Sequence, residues 1–420
     1  MHTEPLSTAV AGIGGFGTTH HNALLKLEQE GRVRVVATCD PALSRLEQTV
    51  EALEFAQRGV ALYESFEPMV ERHGAELQWL TVAAPIRHHA PMHRSCVERG
   101  IACYLEKPPT LDPGELEEMI RRDATARFAT QVGFNYIYQP LRHTLKQRIA
   151  SGEFGRLLRV GYLGLWKRPL SYYARNGWAG RLMLENGYVL LDSCCGNAMA
   201  HHLHNILFFA GSEGLHSWAR PAWLEVELYR ANAIEGVDTI FARGVLENGV
   251  EIRLSTTHAC DPDYRNEEIL TCEEAEIRLN PWGESVILRE GKVVESWASS
   301  AVTPVILADN LALYADYLHG QQQRPQTMLK DCRSFVHFNA LLYIAARRIH
   351  PVSAAERIHF GQDPTDTICI PGITAICERA VREGAFPSEQ GVAWARPGGC
   401  ASLAELSSLR AVLGEMLLPS

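Results

Sequence analysis

The chain predicts an α/β domain with a doubly wound, mostly parallel sheet, followed by an α+β domain with a large antiparallel sheet. Three observations carry this. A glycine run, Gly12-Ile13-Gly14-Gly15-Phe16-Gly17, lies between a strand-like apolar stretch and a helix-like one. Strand and helix patterns then alternate to about residue 135. Beyond Pro140 the alternation gives way to strands arranged as hairpins.

Taken in order, Thr8–Ala11 reads as a buried parallel strand, and Leu24, Leu25 and Leu27 recur with helical spacing after the glycines. Val33–Cys39 reads as a second strand ending at Asp40, about 20 residues past the glycines, where a dinucleotide fold places its ribose partner. Leu77–Ala84 is a third strand, His88–Gly100 a helix, Ile101–Leu105 a strand, Pro113–Arg122 a helix and Phe128–Phe134 the last strand of this half. A helix over Leu141–Ala150 leads to a strand near Leu157–Tyr162, and Tyr188–Phe209 reads as an apolar helix that packs on a sheet. Strands follow at Trp223–Tyr229, Thr239–Leu246, Val250–Thr256, Glu268–Leu279 and Val286–Leu288, with Asn248-Gly249 a turn signal between two of them. Residues 305–348 look helical. The expected division is a dinucleotide-binding domain over 1–135, an α+β substrate-binding and oligomerisation domain over 136–350, and an extension over 351–420.

Composition narrows the function. The 420 residues carry 46% hydrophobic side chains, and 40 basic against 49 acidic residues give a net charge of −9, with no basic block for a phosphate backbone. Nucleic acid is not expected as a partner. No apolar run approaches the roughly 18 residues that span a bilayer, and the amino terminus lacks a signal pattern, so a cytoplasmic protein without membrane contact is expected. Eleven cysteines without a Cys-x-x-Cys pair suit reduced thiols, and the adjacent Cys194 and Cys195 read as small buried residues.

Glycines at positions 12, 14, 15 and 17 permit a tight turn, let the backbone approach a pyrophosphate and let the helix pack closely on the sheet, while the helix N-terminus faces the anion. Ala84-Pro85 with His89, and Glu106-Lys107-Pro108, close two strands at the carboxyl edge, the side on which such a sheet binds its ligand. A lysine there would stand beside a nicotinamide. Asp192 to Asn205 opens an apolar helix on which His201 and His204 share a face. No partnered carboxylate or His-x-x-x-His spacing completes a ligand set, so no metal is expected; acid/base and purely structural roles stay open for these histidines.

Together these residues resemble the Gfo/Idh/MocA oxidoreductases, the family of glucose-fructose oxidoreductase and inositol dehydrogenase. The resemblance runs through Ala11–Gly17 with Phe16 and His20, Cys39-Asp40-Pro41, Ala84-Pro85 with His89, Glu106-Lys107-Pro108, Val132–Tyr136, Arg175-Asn176 with Trp178, and Asp192–Gly211. Arg324-Pro325 with Asp331-Cys332-Arg333 looks like the family's returning helix, so roughly residues 8 to 350 are covered.

The resemblance implies an NAD-dependent dehydrogenase acting on a secondary hydroxyl of a sugar, cyclitol or related polyol, and Asp40 at the end of the second strand, set to accept from the adenosine ribose and repel a 2′-phosphate, predicts NAD over NADP. It implies that Lys107 and His201 flank the reacting hydroxyl with a carboxylate one turn before the histidine. That place holds Asn197, so the carboxylate comes from Asp192 or is absent. Tyr136, Arg175, Asn176, Trp178, His202 and His204 are the implied substrate contacts, while the family's arginine two residues after Asn135 is Ile137 here. Also implied are a cis Lys107–Pro108 peptide and a homodimer or homotetramer built through the open face of the second-domain sheet. Two other readings use the same residues: a redox-neutral enzyme that oxidises a sugar transiently, and a non-catalytic dinucleotide sensor.

Overall fold

In the computed structural model, residues 4–260, 264–298, 303–362 and 365–418 are described. They fall into two units: Met1–Thr110, Gly114–Gln139 and Ala301–Cys332 form the first, and Leu111–Pro113, Pro140–Ser300 and Arg333–Ser420 the second.

The first unit is built on six parallel strands, β1 (Leu6–Ala11), β2 (Val33–Cys39), β3 (Ala61–Tyr63), β4 (Trp79–Val82), β5 (Ala102–Leu105) and β6 (Gln131–Val132), in the order β3-β2-β1-β4-β5-β6. Strand order reverses between β1 and β4. In an open α/β sheet the ligand crevice lies outside the carboxyl ends at that reversal. Burial explains the near-continuous apolar strands: β1 and β4 are sheathed on both faces, and Val10 and Trp79 are fully buried.

Residues 303–332 belong to this first unit, which departs from the expected boundary. Leu307, Leu311 and Tyr314 of the helix Thr303–Leu318 share one core with Leu24 and Leu27 of the helix Phe16–Gln29. Asn310 fixes the return, its side-chain oxygen accepting from the Tyr104 hydroxyl at 2.9 Å and from the Gln131 amide at 2.8 Å.

The second unit holds a mixed sheet of β7 (Leu157–Leu165), β8 (Pro221–Arg230), β9 (Thr239–Leu246), β10 (Glu251–Thr257), β11 (Arg265–Cys272), β12 (Glu276–Leu279), β13 (Glu284–Arg289), β14 (Lys292–Ala298) and β15 (His350–Pro351). Their order is β14-β13-β12-β11-β7-β10-β9-β8-β15, with β7 parallel to β10 and β15 parallel to β8, and the other neighbours antiparallel. The single strand expected over Glu268–Leu279 is a hairpin, because the chain turns at Glu273-Glu274 with Cys272 N–H donating to Ala275 O. The helix expected from Tyr188 begins only at Ala200. Upstream of it, Leu182 and Leu190 pair across an Asn186-Gly187 turn, and Ser193 caps a π-helical turn over Cys194–Ala198 by accepting from the Gly196 N–H.

Strand periodicity sorts β7 onto two faces. Tyr162 and Gly164 face the helix Ala200–Ala210: Tyr162 stacks on His202 at 4.9 Å, and a Cβ on Gly164 would lie 2.7 Å from the Met199 sulfur. Leu163 and Leu165 face the other way, into a core with Ile368, Ile370, Ile373, Cys377, Val381 and Phe386. The face expected to be open for a second subunit is therefore covered within the chain, chiefly by the helix Ile373–Arg382. Residues 351–420 are thus part of the second unit.

Candidate active site

At the carboxyl end of β1 the glycines are required by contact. Gly12 has φ +114°, and a Cβ there would stand 2.5 Å from the carbonyl oxygen of Ala83, just past β4. A Cβ on Gly17 would meet the Gly12 carbonyl oxygen at 2.6 Å, so the helix can start against its strand only with glycine at that position. Gly15, at φ +58°, opens onto empty space in front of the helix. That space, lined by backbone N–H groups at a helix N-terminus, fits a pyrophosphate.

Asp40 follows β2, and its carboxylate accepts from Ile13 N–H at 2.9 Å, Gly14 N–H at 3.0 Å and Ala42 N–H at 2.9 Å. It therefore pins the glycine loop from the position at which a ribose partner belongs. Phe16 is exposed at the helix start and meets His20 edge-on at 5.5 Å.

Past β4 and β5, the half-buried Ala84 and Lys107 and the exposed Pro85 come to the same sheet edge. The Lys107–Pro108 peptide is cis. Glu106 is buried, takes a 2.8 Å hydrogen bond with His20 Nε2 and accepts from the Lys107 N–H at 3.0 Å. Burial pushes its carboxyl up; the His20 bond and charge, with the Lys107 charge, outweigh this and hold it below the usual range. His89 is also buried, with one ring nitrogen 2.8 Å from Ala84 O and the other 2.9 Å from Pro108 O. Burial lowers the His89 imidazole, partly offset by those carbonyls. Glu106 and His89, expected to contact the cofactor, instead sit beneath the two loops and brace them. Tyr136, expected to touch substrate, is buried in the first unit beside the buried Ile137.

On the second unit, Asp192 is buried and accepts from Gly180 N–H at 2.7 Å and from the Asn197 side-chain amide at 2.8 Å. The two candidate partners of His201, one a carboxylate and the other an amide, are thus hydrogen-bonded to each other. His201 lies half-buried on the helix that follows. Its neighbours differ. His202 is buried, donates or accepts at 2.7 Å with Glu268, and sits there with Asn205 and Arg142 on the same carboxylate. Burial lowers its imidazole more than Glu268 raises it. His204 is fully buried against Trp218 and Phe335, and burial lowers it strongly. Both expected substrate contacts are thus buried in the second unit.

Arg175 lies exposed over the Tyr172 ring and bonds the Tyr172 carbonyl, Asn176 accepts from the Trp178 and Ala179 N–H groups, and Trp178 remains half-buried. Cys194 and Cys195 are buried with their thiols pushed up by burial, Cys195 to about 12, so neither ionises readily as a nucleophile. Sequence reasoning missed Trp166, Arg168 and Tyr172, although two aromatic residues flanking an arginine directly after a strand were there to be read. Among the described residues no cluster of histidine, cysteine or carboxylate side chains could hold a metal ion, and no helix is long and apolar enough to cross a membrane.

Residues 6–134 match the sequence model described as the oxidoreductase family with an NAD-binding Rossmann fold, Gfo/Idh/MocA. Inositol 2-dehydrogenase 4 of Saccharopolyspora erythraea is 27% identical over 159 residues, 38% of this chain and 45% of that protein. The scyllo-inositol 2-dehydrogenase (NAD(+)) of Bacillus subtilis is 27% identical over 148 residues, covering 35% and 41%. The match thus spans less than half the length of these curated relatives. In fold, the chain is similar to a WlbA dehydrogenase from Chromobacterium violaceum, crystallised with NADH and UDP-GlcNAcA, at a TM-score of 0.65 and 18% identity over 83% of this chain and 95% of that one. It is also similar to a myo-inositol dehydrogenase from Corynebacterium glutamicum, at a TM-score of 0.59 and 16% identity over 80% and 96%.

Proposed function

From the match of residues 6–134 to the Gfo/Idh/MocA oxidoreductases, we propose that the protein is an NAD-dependent dehydrogenase oxidising a secondary hydroxyl of a sugar, cyclitol or related polyol. One observation carries the reading furthest: Lys107 and the braced Glu106 stand at the carboxyl edge of the same sheet whose glycine loop and Asp40 form the dinucleotide cradle. When bound, the nicotinamide supplies the acceptor for the carbinol hydride.

Loss of that hydride as the carbonyl forms requires a base for the hydroxyl proton. Lys107 takes this role together with His201. Asp192, reaching Asn197, supplies the carboxylate side of the arrangement from upstream of the helix. His89 and the Glu106–His20 pair act by holding the loops that carry Ala84-Pro85 and Lys107.

The test is to mix the purified chain with NAD and a panel of inositols, sugars and sugar acids and to follow reduced-nicotinamide absorbance. Accumulation with at least one polyol is expected. Tight NAD binding with no hydride exchange across the panel would overturn the dehydrogenase reading in favour of a dinucleotide sensor.

A further inference from the structure

Arg168, three residues past β7, has its guanidinium over two rings. Its guanidinium carbon is 4.4 Å from the centroid of Trp166 and 4.6 Å from that of Tyr172. Stacking occupies the faces of a guanidinium and leaves its planar edge of N–H donors unused. None of those donors has a protein acceptor among the described residues, and its Nε is buried. Among the described residues no carboxylate pairs with Lys167, Arg168 or Arg175, three cations within nine residues.

Beside this arginine is an aromatic surface. Trp166, Tyr264 and Trp282 form a triangle with centroids 5.1 to 5.7 Å apart, and Tyr264 and Trp282 are 45% and 42% exposed. Rings held this rigidly yet half open to solvent offer flat apolar faces, which the C–H face of a sugar ring can cover. The patch adjoins the proposed catalytic segment: Trp282 meets His202, next to His201, at 6.0 Å, and the Tyr172 hydroxyl is raised by burial and then by the Asp192 charge.

We propose that this patch is a substrate subsite in which Arg168 binds an acidic group, a carboxylate or a phosphate, on a sugar that lies against Trp282 and Tyr264. The substrate class is then an acidic sugar rather than a neutral polyol. This rests on the dehydrogenase reading above for the sugar, while the anion site stands on the stacked guanidinium itself, whose donors meet no acceptor among the described residues.

Binding is measured apart from turnover, by tryptophan fluorescence of the NAD-loaded chain titrated with glucuronate, glucose 1-phosphate, glucose and myo-inositol. At least one of the two acidic sugars should bind about tenfold or more tightly than glucose, the scale of one charge-assisted hydrogen-bonded contact; which of them does so separates carboxylate from phosphate. Arg168→Met should abolish that preference while leaving the neutral sugars unchanged, and Arg168→Lys should restore only part of it. Trp282→Ala, which leaves every charge in place, should weaken acidic and neutral sugars alike, and melting curves report whether each variant is folded. Equal affinities for glucose and both acidic sugars, or an unchanged preference in a folded Arg168→Met variant, would overturn the subsite. Acidic-sugar binding that depends on Arg168 but gives no reduced cofactor would uphold the subsite and defeat the dehydrogenase reading.

Discussion

Asn197 donates its side-chain amide to the Asp192 carboxylate at 2.8 Å, so the turn that precedes His201 is reached by a carboxylate from five residues further upstream. The alternatives left open by the sequence are therefore one hydrogen-bonded unit. Asp192→Asn and Asn197→Ala should each lower turnover, and the double variant should lose little more than the worse single one, because residues sharing one bond are not independent. Steady-state kinetics on a substrate found in the panel measures this; full additivity would show that the two act independently and overturn the shared unit.

Lys107→Met and His201→Ala should each reduce turnover by about 10²- to 10⁴-fold, the scale of losing a positioned acid or base. Cofactor affinity should be nearly intact, since the cradle is made by the Gly12–Gly17 loop and Asp40. Less-than-additive losses in the double variant would mark a shared proton transfer. Near-wild-type rates in both singles would rule the pair out.

NAD should bind more tightly than NADP, because a carboxylate at the end of β2 accepts from ribose hydroxyls and repels a 2′-phosphate. Asp40 also holds Ile13 and Gly14, so Asp40→Ser should weaken NAD while narrowing the gap to NADP. Equilibrium titrations of both dinucleotides against both proteins give the answer.

The first unit was legible because each of its signals is local: an apolar strand, a glycine turn with one admissible geometry, and a helix, repeated. Its exception is the helix Thr303–Leu318, whose place in that core depends on Asn310 meeting Tyr104 and Gln131 about two hundred residues away in the chain. The histidines of the second unit were misread for a related reason. His201, His202 and His204 look alike in sequence, and only the position of Glu268 and of Trp218 decides that two of them are core. Lys107 and Asp40 stand out in the sequence because each follows a strand end on the edge where such a sheet binds its ligand; the Trp166-Arg168-Tyr172 stack does not, because no regular spacing announces it.

Acid stability should report the Glu268 cluster. Burial alone would raise this carboxyl, but Arg142 and His202 hold it down at about 2. A depressed carboxyl stabilises the fold fully above its unfolded pKa, near 4.3, and loses that contribution as pH falls toward 2. His202, lowered by burial, acts in the same direction from an unfolded value near 6.5, since the unfolded chain then takes up the proton first. Stability by urea unfolding should thus decline from about pH 6.5 downward and more steeply below about pH 4.3. Glu268→Gln should flatten the lower part of that decline and, by removing the carboxylate paired with the buried Arg142, lower stability at neutral pH.

The sheet face covered by residues 351–420 sets the remaining prediction. Leu163, Leu165, Phe241 and Ile269 are buried there under Ile373, Cys377 and Val381, and Arg243 to Glu389 and Arg253 to the Arg382 carbonyl tie down the edges. A chain shortened after Ile349 would bare this apolar face, and water would drive it against another such face or into aggregates. Val381→Asp is the milder form of the test: the side chain sits against β7, where a Cβ on Gly161 would lie 3.2 Å from Val381, so the carboxylate would be buried without a partner. Light scattering coupled to size exclusion should find the intact chain with this face closed to self-association, and the shortened chain in larger species that bind a hydrophobic dye. If the shortened chain keeps the size and dye response of the intact one, the extension is not what closes the face. An intact chain whose oligomer is dispersed by Val381→Asp without loss of secondary structure would instead place a subunit contact at this helix.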